Sequence, residues 1–212
     1  MRRIIFTLFV LFAALGAAQA QSRCCLSYDD WRAGVWHELN RLIVEERSEA
    51  AQQWSGGGDW KLTSGNVDEE KLLKKEAFLV QTDTAQFLNL RSYKHESMTF
   101  GKNFTRAYVL NDTTLLFAQI AIGKKERKNL MLSQFAFGAV GGVSAVKELR
   151  KHTALYAISG ADKQTLRLST ADVQQLLQPF PEVLDDFNLR LKDDEYKAAD
   201  AIECLQRAGI IQ

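Results

Sequence analysis

Residues 106–122 read RAYVLNDTTLLFAQIAI, and this stretch decides the fold class. Two short apolar runs, Arg106 to Leu110 and Leu115 to Ile122, flank Asn111-Asp112-Thr113, a turn signal at hairpin spacing. Upstream, Ala77–Val80 and Gln86–Leu90 are further runs of this kind, separated by the turn-like Thr82-Asp83-Thr84. Downstream, Leu155–Ile158 and Leu166–Leu168 flank the turn Ser159-Gly160-Ala161-Asp162. Trp60 to Thr63 reads as one more strand, and from Lys74 to Ile122 the pattern is β throughout. Antiparallel strands that follow one another in sequence are the expectation.

Helices are expected at both ends of this sheet. Ser27 before Tyr28-Asp29-Asp30 has the form of an N-cap with acidic first-turn residues, giving a short helix to about Gly34. At the other end Thr170 is read as the cap of Ala171–Leu177. Pro179 and Pro181 then precede a helix over Glu182–Leu191, and a last helix runs from about Glu195 to Ala208 before Gly209. Residues 37–53 fit helix or strand. The chain is therefore read as α+β. A mainly antiparallel sheet over 38–168 packs against a long glycine-containing helix within 123–151 and a helical C-terminal tail.

Residues 1–20 are expected to be a cleaved signal peptide, leaving 21–212 as one α+β domain. Arg2 and Arg3 form a basic start, Ile4–Leu15 an apolar run, and Ala18-Gln19-Ala20 a small-x-small cleavage site. The run is shorter than the roughly 20 apolar residues of a membrane span. An exported protein is expected: periplasmic, cell-surface or secreted. The leader holds two of the 27 basic residues and none of the 26 acidic ones, so the formal charge moves from +1 to about −1. That balance makes nucleic acid an unexpected partner. Export also places ATP and most cytosolic cofactors out of reach, and no cofactor is expected.

The uncharged run Asn129–Val146 is the most informative feature after the sheet. Eighteen helical residues extend about 27 Å, just short of a bilayer's hydrocarbon core. Gly138 and Gly142 are spaced as GxxxG, and Gly141 with Ala145 gives a second small-xxx-small pair. Such spacing lets another backbone approach closely. It suits a buried helix, self-association, or contact with an envelope protein or membrane. Lys124–Lys128, just upstream, could touch anionic headgroups or be a solvated turn.

Trp54 and Trp60 flank a glycine turn, Ser55-Gly56-Gly57-Gly58-Asp59. They are read either as an exposed platform for a glycan or peptide or as a plug at one end of the core. Cys24, Cys25 and Cys204 are an odd number for an oxidising compartment. Either of the first two could reach Cys204 to form a disulfide, or all three could be free. The spacing excludes a CxxC redox pair and a four-ligand zinc site.

Catalytic signatures are missing from the sequence. His37, His95 and His152 are far apart, no Ser sits in GxSxG, and Gly101-Lys102-Asn103 lacks the rest of a phosphate loop. Asp185-Asp186 and Asp193-Asp194-Glu195 are carboxylate pairs expected at helix surfaces or starts. Three function classes remain. The leading one is a non-enzymatic envelope or secreted protein that assembles through the glycine-rich helix. The others are a glycan- or peptide-binding module using the tryptophans, and a hydrolase with a dispersed site.

Four motifs carry a family resemblance: Tyr28-Asp29-Asp30-Trp31, Asp59-Trp60-Lys61-Leu62, Phe100-Gly101-Lys102-Asn103 and Phe137-Gly138-Ala139-Val140-Gly141-Gly142. Over roughly Ser27 to Ile211 the chain resembles a family of uncharacterised secreted proteins of Bacteroidota bacteria. The resemblance implies a Gram-negative envelope or secreted location and supplies no functional residues.

Overall fold

The computed structural model describes residues 22–48, 51–52, 57–120 and 153–212. The leader, Trp54, the Lys124–Lys128 cluster and the expected helix with Gly138, Gly141, Gly142 and Ala145 lie outside them.

The sheet is antiparallel at every strand pairing among the described residues. Its main path runs β12 (Leu166–Arg167), β11 (Ala154–Ile158), β10 (Thr114–Gln119), β9 (Phe104–Asn111), β6 (Gln86–Asn89), β5 (Leu79–Gln81), β1 (Ser22–Cys25), β2 (His37–Leu39). A hairpin of β3 (Leu42–Glu46) and β4 (Trp60–Ser64) joins this path through β9, with Trp60 opposite Phe104. A separate ribbon pairs β7 (Lys94–His95) with β8 (Met98–Thr99). The expected hairpin at 111–113 is present, with the Asn111 side chain accepting from the Thr113 amide. Residues 37–53 prove to hold strand: β2 and β3 lie within them.

Helix α1 (Tyr28–Ala33) begins as expected, with the Ser27 hydroxyl accepting from the Asp30 amide at 3.0 Å. Helix α2 (Val67–Lys75) was not expected from the sequence. Asn66 caps it, Asp68, Glu69 and Glu70 fill its first turn, and Lys74 and Lys75 its last. Those residues lower the cost of helix ends, so the β pattern starts only after Lys75. Three helices close the chain: α3 (Thr170–Leu177), α4 (Pro181–Leu189) and α5 (Ala198–Arg207). The cap of α3 is Ser169 rather than Thr170, in a reciprocal capping box with Asp172. The last helix starts at Ala198, not Glu195. Residues 192–195 instead form a tight reversal, with Asp193 and Asp194 both at positive φ and Lys192 and Glu195 exchanging backbone hydrogen bonds.

Both faces of the sheet are buried, by different means. Strand β11 shows this within five residues, all of them buried. Leu155 and Ala157 face the C-terminal helices and pack with Leu116, Val173, Leu177, Phe187, Cys204 and Leu205. Ala154, Tyr156 and Ile158 face the opposite way, into a cluster holding Tyr28, Phe78, Tyr93, Phe100 and Phe117. Phe100 meets Phe117 and Tyr156 edge-on, with ring centroids at 5.2 and 4.8 Å. A third cluster, on the helix-covered face, holds Leu62, Leu73, Val80, Phe87 and Phe104 under α2 and β4. Asn89 ties α2 down. Its buried amide donates to the carbonyls of Ala77 and Leu73, and its oxygen accepts from the Arg91 amide.

Candidate ligand seam on the central strand

Strand β9 decides where a site can form. It pairs along both edges, with β6 and β10. Alternation sends Phe104, Arg106, Tyr108 and Leu110 to the helix-covered face. Phe104 belongs to the cluster under α2 and β4, whereas Tyr108 and Leu110 pack with the C-terminal helices. Arg106 falls between these two covers, and it is exposed in the middle of a sheet that is otherwise mostly buried. It lies opposite Phe87 on β6. Continuing the β9–β10 register brings the small Ala118 to its other side.

Trp60 forms one wall of this seam. Its ring meets Phe87 edge-on at 5.4 Å, and the Arg106 guanidinium lies 5.9 Å from its centroid. The indole is only half-buried. The sequence left it as platform or plug; the ring packs against Phe87 and lies beside the Arg106 guanidinium. Tyr108 forms the other wall. Burial pushes its hydroxyl above the usual tyrosine range, and the charge and hydrogen bonding of Arg106 pull it back. No carboxylate pairs with Arg106 among the described ion pairs. By contrast Arg190 meets Asp186, Asp200 and Glu203, and Arg207 meets Asp186.

The glycines between the two tryptophans serve this wall. Gly57 has φ 87, and a Cβ there would come within 1.9 Å of the Lys102 carbonyl oxygen. The Gly58 amide donates to that same oxygen at 2.8 Å. Arg47 donates to the Gly58 carbonyl from the other side. Glycine is needed so that this segment can lie against the start of β9 and deliver Trp60 onto the sheet.

The remaining sequence candidates disperse. Cys24, Cys25 and Cys204 are free, buried thiols in three different clusters. Burial raises Cys24 to about 11 and Cys25 to about 12, which suppresses thiolate chemistry. His37 is exposed on β2, while His95 meets the Thr165 carbonyl at 3.0 Å and the edge of Tyr156. Asp186 is an ion-pair partner on α4, and Asp193 and Asp194 form the turn before α5. No group of three or more His, Cys, Asp and Glu is placed to hold a metal ion among the described residues. Nor is any helix among them long and apolar enough to cross a membrane. On the opposite face of the sheet Arg23 covers the Trp36 ring at 4.6 Å and donates to Gln81, beside Gln86, whose Oε1 is buried without a partner.

Residues 23–210 match the model of a family of unknown function, DUF6563. The chain belongs to this family. In this member of DUF6563 the matched span takes in the whole described sheet except Ser22, together with the five described helices. No curated protein and no solved structure matches the chain. The sequence reading missed Arg106. The signal was present in FTRAYVL, where a charge shares alternation with Phe104 and Tyr108.

Proposed function

We propose that the protein is an exported, non-catalytic binding protein of a Gram-negative envelope, periplasmic, surface-bound or secreted, that holds a glycan- or peptide-type component in the β9 seam. The leader-like residues 1–20 support export. One observation carries the binding reading: an exposed guanidinium on an inner strand, beneath a half-exposed indole. A charge on an inner strand of a covered sheet gives little to folding, since water already solvates it. It is well placed for a ligand that stacks on Trp60 and hydrogen-bonds Arg106. The test is retention of envelope saccharides and peptides on the immobilised mature chain. Loss of retention in Arg106→Gln, with unchanged melting, supports the reading. Absence of retention from both ligand classes overturns it.

A second reading, assembly through residues 129–146, is favoured by a specific pairing. Gln119 and Ala154 are opposite each other on β10 and β11, so the intervening chain leaves and re-enters the sheet at neighbouring positions. A single membrane crossing by 129–146 would drag Lys124–Lys128 or Lys147–Lys151 back through hydrocarbon, at several kcal/mol. Contact with an envelope protein or a second copy, through Gly138, Gly141, Gly142 and Ala145, meets no such cost. Light scattering of Gly142→Leu tests it: an unchanged mass sinks self-association.

A further inference from the structure

Resting on the seam as a binding site, we infer that its ligand is an acidic saccharide, with a sugar carboxylate on Arg106 and a sugar ring against Trp60. Three observations on the described residues carry this.

The first is charge. Arg23, Arg47 and Arg91 donate to carboxamide or carbonyl oxygens of the fold, and Arg190 to carboxylates. Among the described residues Arg106 has beside it the Trp60 ring and the Tyr108 phenol, which it hydrogen-bonds. Guanidinium and carboxylate match as a planar fork, and charge-assisted bonds are the strong ones. An exposed guanidinium on an inner strand therefore offers the seam a fork that a carboxylate suits.

The second is the wall. Trp60 offers a flat, half-exposed apolar ring close to that cation. A pyranose presents an apolar C–H face and a polar rim, which matches a ring next to hydrogen-bonding groups.

The third is what the backbone withholds. Peptides are commonly held by adding a strand to a free sheet edge. Both edges of β9 are already paired, to β6 and β10. Recognition at the seam must use side chains, and those present suit a sugar acid better than an extended main chain.

The experiment is isothermal titration calorimetry on the mature full-length chain with three probes: an oligogalacturonate, the neutral oligogalactoside of equal length, and a glutamate-rich peptide. The acidic oligomer is expected to bind and the neutral one to bind at least about tenfold more weakly. Arg106→Gln should weaken the acidic oligomer about 10- to 100-fold, the range of one charge-assisted hydrogen bond. Arg106→Lys should keep part of the affinity, and added salt should weaken it further. Melting curves of each variant separate lost binding from lost folding. Equal binding of both oligomers that Arg106→Gln weakens alike overturns the acid preference and leaves a saccharide seam standing, whereas binding untouched by Arg106→Gln lies elsewhere and overturns the seam as well. Binding of the peptide alone overturns the saccharide assignment. Silence from all three probes overturns the inference and the binding reading beneath it.

Discussion

The backbones of Gly58 and Phe104 touch: a Cβ on Gly58 would come within 2.0 Å of the Phe104 carbonyl oxygen. This contact locks the β3–β4 hairpin onto β9 just where Trp60 pairs with Phe104. Gly58→Ala should destabilise the protein by about 1–3 kcal/mol, the range for overpacking a tight site. Urea denaturation reads the loss. A substitution without effect would mean that the hairpin is not held there.

Asn89 offers a second stability test. Its side chain satisfies the Ala77 and Leu73 carbonyls and the Arg91 amide, at 2.9, 3.3 and 3.1 Å. Asn89→Ala takes the side-chain donor from the buried Ala77 and Leu73 carbonyls, at about 1–3 kcal/mol. The damage should centre on α2, so amide exchange in Val67–Lys75 should accelerate ahead of exchange in β10 and β11.

Aromatic packing against Tyr156 predicts the largest single loss. Phe117 is fully buried, stacks on Tyr156 at 5.6 Å and meets Phe100 edge-on. Phe117→Ala should cost about 3–5 kcal/mol, and Phe117→Leu appreciably less, because less volume is lost. Differential scanning calorimetry should rank them in that order.

Thiol chemistry should be silent in the folded protein. Burial lifts Cys24 to about 11 and Cys25 to about 12, and raises Cys204 as well. Little thiolate exists at pH 8, so iodoacetamide should modify none of the three until denaturant is added. Intact mass after alkylation in denaturant should then show three adducts. Fewer would reveal a disulfide and a rearranged N-terminus.

Acid should weaken the C-terminal helices. Hydrogen bonds from Arg190 and Arg207 hold the Asp186 carboxyl below its usual range, and Arg190 does the same for Glu203. The Ser169 hydroxyl lowers Asp172 at the start of α3. Carboxyls with depressed pKa contribute stability that is complete above their ordinary values, near 4, and is lost as pH falls through the folded values. The denaturation midpoint should hold from pH 7 to about pH 5 and fall below about pH 4. In Asp186→Asn the fall should be shallower. Identical profiles for the two proteins would show that this network does not govern the acid limb.

Much of the sheet could be read from local pattern, because buried strands announce themselves. ALYAI at 154–158 is apolar at every position since both of its faces are covered. Helix α2 was missed for the opposite reason. It sets only Leu72 and Leu73 against the core, too narrow a stripe for periodicity to show, although its cap and end charges were in view. The seam was half legible: Trp60 stood out as an aromatic by a glycine turn. Its partner Arg106 did not, because only the long-range pairing of β4 with β9 and the gap between the two covering layers give that arginine its place. No local rule encodes such a gap.

The main sheet path ends on short strands. Strand β12 has two residues and β2 has three, two of them the exposed His37 and Glu38. Off that path, the outer strand β3 carries exposed Glu45 and Glu46. A neighbouring molecule would find few consecutive open amides and carbonyls on which to grow, and acidic side chains where the run is longest. The open strand edges among the described residues are thereby guarded against pairing edge to edge with a neighbouring molecule.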